Sequence, residues 1–331
     1  MARSGDKLLP SLGILLVTGG LVLLGWFAYL WFSPVPVPYQ YELVKEGDNK
    51  AFPELELDAW PDLQLKQYNV SVEGVDKPIA AFTLAQKGNT SPVLLDWKNN
   101  THEVLHTLDW KLSELSAVAT AISKHTSKDA LILSWWDTSR QINLLTGRET
   151  LFTSHMNEPL VVPLDWAGQS GDIKAHESKF WQSSVSQQER DQFEQFTQAL
   201  TATPEEGAAK LRALVGSPRE AYIVVHTTDL YKLGLIYPDK LGVAYQNLPL
   251  TGNMHGMINQ MKVQLKNNDF DTYTLQSITD SEIRVFFLSD AQSSETLLAQ
   301  MLPFTEKDAP LELKALQLMY QSGSYWVFNI P

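Results

Sequence analysis

The sequence predicts an α/β fold: a single N-terminal transmembrane helix, then a small antiparallel β part, then a mixed α/β sandwich domain. Three observations predict it. An apolar run without a charge lies near the N-terminus, strand-like segments cut by turn residues follow it, and from Leu112 helix-like and strand-like segments alternate. Alternation of that kind favours helices packed on a partly parallel sheet.

The uncharged run is LGILLVTGGLVLLGWFAYLWF, Leu12 to Phe32. As a helix it spans roughly 30 Å, the thickness of a bilayer's hydrocarbon. Arg3 and Lys7 precede it and SPVPVPYQY follows without a basic residue, so the positive-inside bias keeps the N-terminus in the cytoplasm and exports the rest. Aromatic residues from Trp26 to Phe32 form an interfacial belt at the outer end. AYLWFSP offers no A-x-A-like cleavage site, which makes the segment a retained signal anchor. Pro34, Pro36 and Pro38 favour an extended spacer. The expected organisation is a cytoplasmic tail over 1–10, the transmembrane helix over 11–32 and a Pro-rich spacer over 33–40. A β-rich part over 41–110 and an α/β domain over 111–331 complete it.

In the β-rich part, LQLKQYNVSVEG, KPIAAFTLAQKG and SPVLLDW read as strands separated by Gly- and Asn-containing turns. Beyond it, KLSELSAVATAISKH reads as a helix, ALILSWW as a strand, TSRQINLL as a helix, and TLF and LVVPL as short strands. A long polar helix is expected from about Glu177 to Leu200, a shorter one in PEEGAAKLRALV, and a strand in AYIVVHT. LKALQLMYQSGSYWVFNI closes the chain as a hairpin turning at Ser322 and Gly323.

Composition excludes several functions. Asp and Glu number 38 against 26 Lys and Arg, a net charge of −12, so a polyanion such as nucleic acid is repelled. There is no cysteine, which removes disulfides, thiolate catalysis, cysteine-held metals and covalent c-type haem. No cofactor is expected, and electrons that move near this protein are carried by a partner. The sequence contains no G-x-S-x-G elbow, P-loop or G-x-G-x-x-G.

The most specific short motif is THEVLHTLDW, with His102, Glu103 and His106 in H-E-x-x-H spacing. On a helix this would hold zinc through the two histidines and use the glutamate as a base, the chemistry of a metal hydrolase. The flanks PVLLDW and KNNT point instead to an exposed hairpin strand, where residues four apart lie about 13 Å from each other, too far to share a metal. No metal site is therefore assigned.

In SWWDTSRQINLLTGRETLF, the strand LILSWW leads to Asp137, expected as the N-cap of a helix that Gly147 closes. The carboxyl end of such a strand borders the crevice where α/β sheets bind ligands. Leu131 and Leu133 share parity with Trp135, so Trp135 is expected in the core, and Trp136, with Asp137, at the crevice rim. The candidate ligand- or partner-binding residues are Trp135, Trp136, Asp137 and Arg140.

That stretch resembles the W-W-D-Y-G segment in the extramembrane domain of the oligosaccharyltransferase catalytic subunit, and TPEEGAAKLRALVGSPREAYIVVHTTDLYKLG is similar to that family's helix, strand and Lys-bearing helix. The resemblance implies that Trp135, Trp136 and Asp137 receive a hydroxyl-bearing peptide or glycan. Thr138 and Ser139 replace the family's Tyr-Gly, and the transferase's many membrane spans are absent. The longer run ALILSWWDTSRQINLLTGRETLFTSHMNEPLVVP, behind a single anchor, resembles the hydroxylamine oxidation protein HaoB family. This implies a non-catalytic, haemless accessory protein on the bacterial inner membrane, with its C-terminal domain in the periplasm. Its implied partner, for docking or assembly, is the multihaem hydroxylamine oxidoreductase of nitrification and methane oxidation.

Overall fold

The computed structural model describes residues 8–32, 37–101, 105–156, 160, 164–182, 184–216, 218–250, 254–305 and 313–331. Helix α1 (Leu8–Phe32) carries no charged residue. Leu15, Leu16, Leu21, Leu24 and Phe27 on it are each more than 60% exposed. Side chains in this segment are described at 13 and 15–29, and among the described residues no helix is long and apolar enough to cross a membrane.

The expected β-rich part is a four-stranded antiparallel sheet in the order β1 (Tyr39–Asp48), β2 (Leu63–Val72), β3 (Ala80–Lys87) and β4 (Val93–Asn99). Its strands follow the turns foreseen, with Gly74 and Gly88 at positive φ, where glycine alone avoids a Cβ penalty.

The main sheet has five strands, ordered β11 (Gln317–Ser322), β12 (Tyr325–Asn329), β7 (Ala221–His226), β5 (Leu131–Ser134) and β6 (Glu149–Thr150). β5 runs parallel to β6 and β7, while β12 is antiparallel to β7 and to β11. Every residue of β5 and β7 is buried, as expected of strands covered on both faces. Alternation divides them between two cores. Leu131, Leu133, Ile223 and Val225 pack with α5 (Gln187–Leu200), α6 (Pro204–Val215) and α7 (Asp229–Ile236). Ile132, Tyr222 and Val224 pack with α2 (Leu112–His125) and α3 (Trp136–Thr146). On α2, Leu112, Leu115, Val118, Ala119 and Ile122 make the buried stripe that a 3.6-residue period requires.

A third sheet was not singled out by the sequence reading. β8 (Val243–Pro249), β10 (Glu282–Leu288) and β9 (Thr272–Thr279) pair antiparallel in that order, and α8 (Met254–Asn267) covers them through Met257 and Met261. On β10, Val285 and Phe287 face α8 while Phe286 and Leu288 join the main core.

Four local expectations are corrected. The polar helix expected over 177–200 is two helices, α4 (Ser170–Trp181) and α5, parted where Gln182 takes a left-handed φ of 49° and Ser186 caps α5. The strand expected in TLF is β6, which ends at Thr150. In LVVPL, Leu160 is a bend and Leu164 opens a 3-10 turn, and 161–163 lie outside the described residues. The hairpin strand expected for HEVLH fails where it is described: residues 105–110 are irregular, while His102 and Glu103 lie outside the described residues. The segment is held to β4 by side chains instead, with Asp109 Oδ1 accepting the Asn99 amide at 2.9 Å and the Trp110 indole donating to Leu95 O at 3.2 Å.

Candidate functional site

The candidate site lies at the carboxyl ends of β5 and β7. β5 stops at Ser134, so α3 begins at Trp136 and the strand parity no longer applies to the second tryptophan. Both rings therefore enter the same core: Trp135 is 1% and Trp136 3% exposed. The expectation of Trp136 at a crevice rim is corrected. Its ring meets His155 edge-on with centroids 4.6 Å apart, and His155 stacks on Trp181 at 3.9 Å. Phe193 of α5 stands edge-on to Trp135.

Asp137 is also not the N-cap. Trp135 holds that position without a side-chain bond, and Asp137 sits in the first turn, accepting from the Thr138 amide at 2.6 Å. Its carboxylate still faces the positive helix end. Gly147 closes the helix as expected, at φ 67°, donating its amide to Asn143 O.

The other half of the site comes from β7 and α7. Lys232 Nζ lies 2.9 Å from Asp137 Oδ2 and 3.4 Å from Asp229 Oδ1, and 5.4 Å from the centroid of the Trp135 ring. Asp229 Oδ2 accepts from the His226 amide at 2.9 Å, and His226 Nδ1 is 2.7 Å from Thr228 Oγ1. Burial pushes the Asp229 carboxyl up to about 6 against the opposing Lys232 charge. Burial also drives His226 well below the ordinary histidine value, with the Lys232 and Arg284 charges adding to it. Burial lowers the pKa of His106, and the Lys232 charge adds to the effect. Tyr325, at the start of β12, lies against the His226 ring at 4.3 Å. Burial raises its phenol far above normal, with Asp137, Asp229 and Glu114 adding to the effect.

Of the sequence-predicted residues, the structure brings Trp135 and Asp137 together around Lys232. Arg140 points elsewhere, donating Nε to Thr153 O at 3.3 Å and Nη2 to Pro92 O at 2.5 Å. Sequence reasoning noted a Lys-bearing helix after AYIVVHT but did not single out Asp229, Lys232 or His226. Chemically, the arrangement is a buried ion triad: two carboxylates share one ammonium beneath aromatic cover. Among the described residues no group of three or more His, Asp or Glu side chains is placed to hold a metal ion.

The fold and site thus define a mixed α/β protein whose strand-end crevice is filled by its own ion pairs. The chain belongs to the family described as HaoA-associated protein HaoB, whose profile matches residues 5–330. Among curated proteins none matches it. Solved structures similar to it include the C-terminal globular domain of an oligosaccharyltransferase from Archaeoglobus fulgidus, with a TM-score of 0.33, 10% identity and coverage of 66% of this chain and 97% of that one. Another is the C-terminal domain of C. jejuni pglb, with a TM-score of 0.37, 10% identity and coverage of 65% and 99%.

Proposed function

We propose that this protein is a non-catalytic, membrane-tethered periplasmic partner of the hydroxylamine-oxidising haem enzyme, docking to it or assisting its assembly. The observation that carries the reading is the family match, which takes in residues 5–330 and so includes α1 as well as the folded part. The absence of cysteine supports a role without covalent haem of its own. Tethering is supported by the uncharged sequence run from Leu12 to Phe32 and by the exposure of the apolar side chains described within it. Basic residues lie only on its N-terminal flank, which supports export of everything after it. A peptide- or glycan-binding pocket at Trp135, Trp136 and Asp137 gains no support from the geometry. Both rings are buried and the carboxylate is engaged by Lys232.

Affinity purification of the tagged full chain from native membranes tests the reading. A multihaem oxidoreductase should be retained at near-equal amounts and be lost when the tag is carried by α1 alone. Recovery of the chain without haem protein, under conditions that keep it folded, contradicts it.

A further inference from the structure

Between the β3–β4 turn and the second half of α3 lies a cavity of about 520 Å³, with Lys87, Ser91, Arg140, Asn143 and Thr146 among its lining residues. Arg140 is the unusual member. It is only 5% exposed, and its two hydrogen bonds both go to neutral main-chain carbonyls, of Thr153 and Pro92. A guanidinium has five N–H donors; Nη1 makes no hydrogen bond among the described residues and is not one of their buried unpartnered atoms, so it keeps access to solvent. Nor does Arg140 enter any ion pair among the described residues. Asp137 and Glu189 act on it only through space, and burial prevails over them, lowering its pKa to about 10.

A buried charge without a contacting counter-ion is costly, and the partner that matches a planar guanidinium best is an oxyanion. Two further groups suit one. Ser91 is exposed, and its hydroxyl makes no hydrogen bond among the described residues; Lys87 brings a second positive charge, which among the described residues is held by an exposed pair to Asp62 at 3.6 Å. The C-terminal end of α3 also lines the cavity and would repel an anion through its carbonyls. Much of that end is neutralised, because Ile142 O accepts the Thr146 hydroxyl, Asn143 O the Gly147 amide and Leu145 O the Trp60 indole.

We propose that this cavity binds a small oxyanion-bearing molecule, with a carboxylate or phosphate group on Arg140 and Lys87 and Ser91 at the solvent side. The inference is independent of docking to a haem enzyme.

Thermal unfolding of the full chain is followed while sodium acetate or sodium phosphate replaces chloride at constant ionic strength. One of the two probes should raise the midpoint along a saturating curve, acetate marking a carboxylate site and phosphate a phosphate site. Arg140→Gln should weaken the apparent affinity about tenfold or more, the loss expected for one charge-assisted contact. Because that variant also frees Thr153 O and Pro92 O and can fail to fold, the double variant Lys87→Gln with Ser91→Ala is the second arm, expected to weaken it several-fold. The proposal is overturned if neither probe saturates, as in the general stabilisation that excluded salts produce. A double variant that responds like the wild type overturns it too.

Discussion

Lys232 Nζ and Asp137 Oδ2 stand 2.9 Å apart although 95 residues separate them in the chain. The pair ties the first turn of α3 to α7 and so joins the ends of the two parallel strands. With side chains only 19% and 14% exposed, it is a mostly desolvated contact rather than a surface one. Lys232→Met leaves Asp137 and Asp229 without their shared cation, and is expected to cost on the order of 3 kcal/mol. A double-mutant cycle with Asp137→Asn should return a coupling of about 1–3 kcal/mol in urea unfolding. A coupling near zero would show the pair to be incidental.

The two tryptophans should behave alike. Since both fill the main core, Trp135→Ala and Trp136→Ala are each expected to destabilise the protein by about 3–5 kcal/mol. Chemical denaturation of both variants checks this, and a Trp136→Ala protein as stable as wild type would restore the rim position expected from strand parity.

Gly323 sits in the β11–β12 turn at φ 56°, and a Cβ there would clash with the Glu114 carboxylate. Glu114 cannot simply withdraw, because its Oε2 accepts the Ser324 amide at 2.8 Å. Gly323→Ala should therefore cost more than about 1 kcal/mol. Pairing it with Glu114→Ala should recover the steric part of the loss and leave the backbone part. Strict additivity of the two thermal shifts would argue against the clash.

Asp229 makes stability depend on pH. Its folded-state carboxyl, at about 6, holds a proton more tightly than the unfolded one, whose value is near ~4. Its contribution is thus complete below the ordinary aspartate value and is lost as pH rises through about 6. Wild type should lose more stability than Asp229→Asn between pH 4 and pH 7, while the buried histidines, whose effect runs the other way, are common to both. Parallel pH profiles would show that Asp229 does not titrate in this window.

Much of the fold was legible because its signals are local. The turns of the first sheet, the helix α2, the Gly147 stop and the Ser322–Gly323 hairpin each depend on a few neighbouring residues. The break between α4 and α5 was not legible, because Gln182, not a glycine or proline, takes the left-handed conformation there. Trp136 was misplaced because the strand ends two residues before it, a boundary that the apolar run LILSWW conceals. Asp229 and Lys232 were missed for another reason. Their meaning comes from Asp137 across the sheet, and no local pattern encodes a contact over 95 residues.

The most direct test of the proposed partnership is sedimentation of the purified haem oxidoreductase, followed at its haem absorption, with and without the full chain. This chain, having no cysteine, has no covalently attached c-type haem to add to that signal. The account predicts that the haem boundary moves faster as the chain is added and stops moving at a fixed stoichiometry. A haem boundary that stays where it was, with the chain folded and in excess, would contradict it.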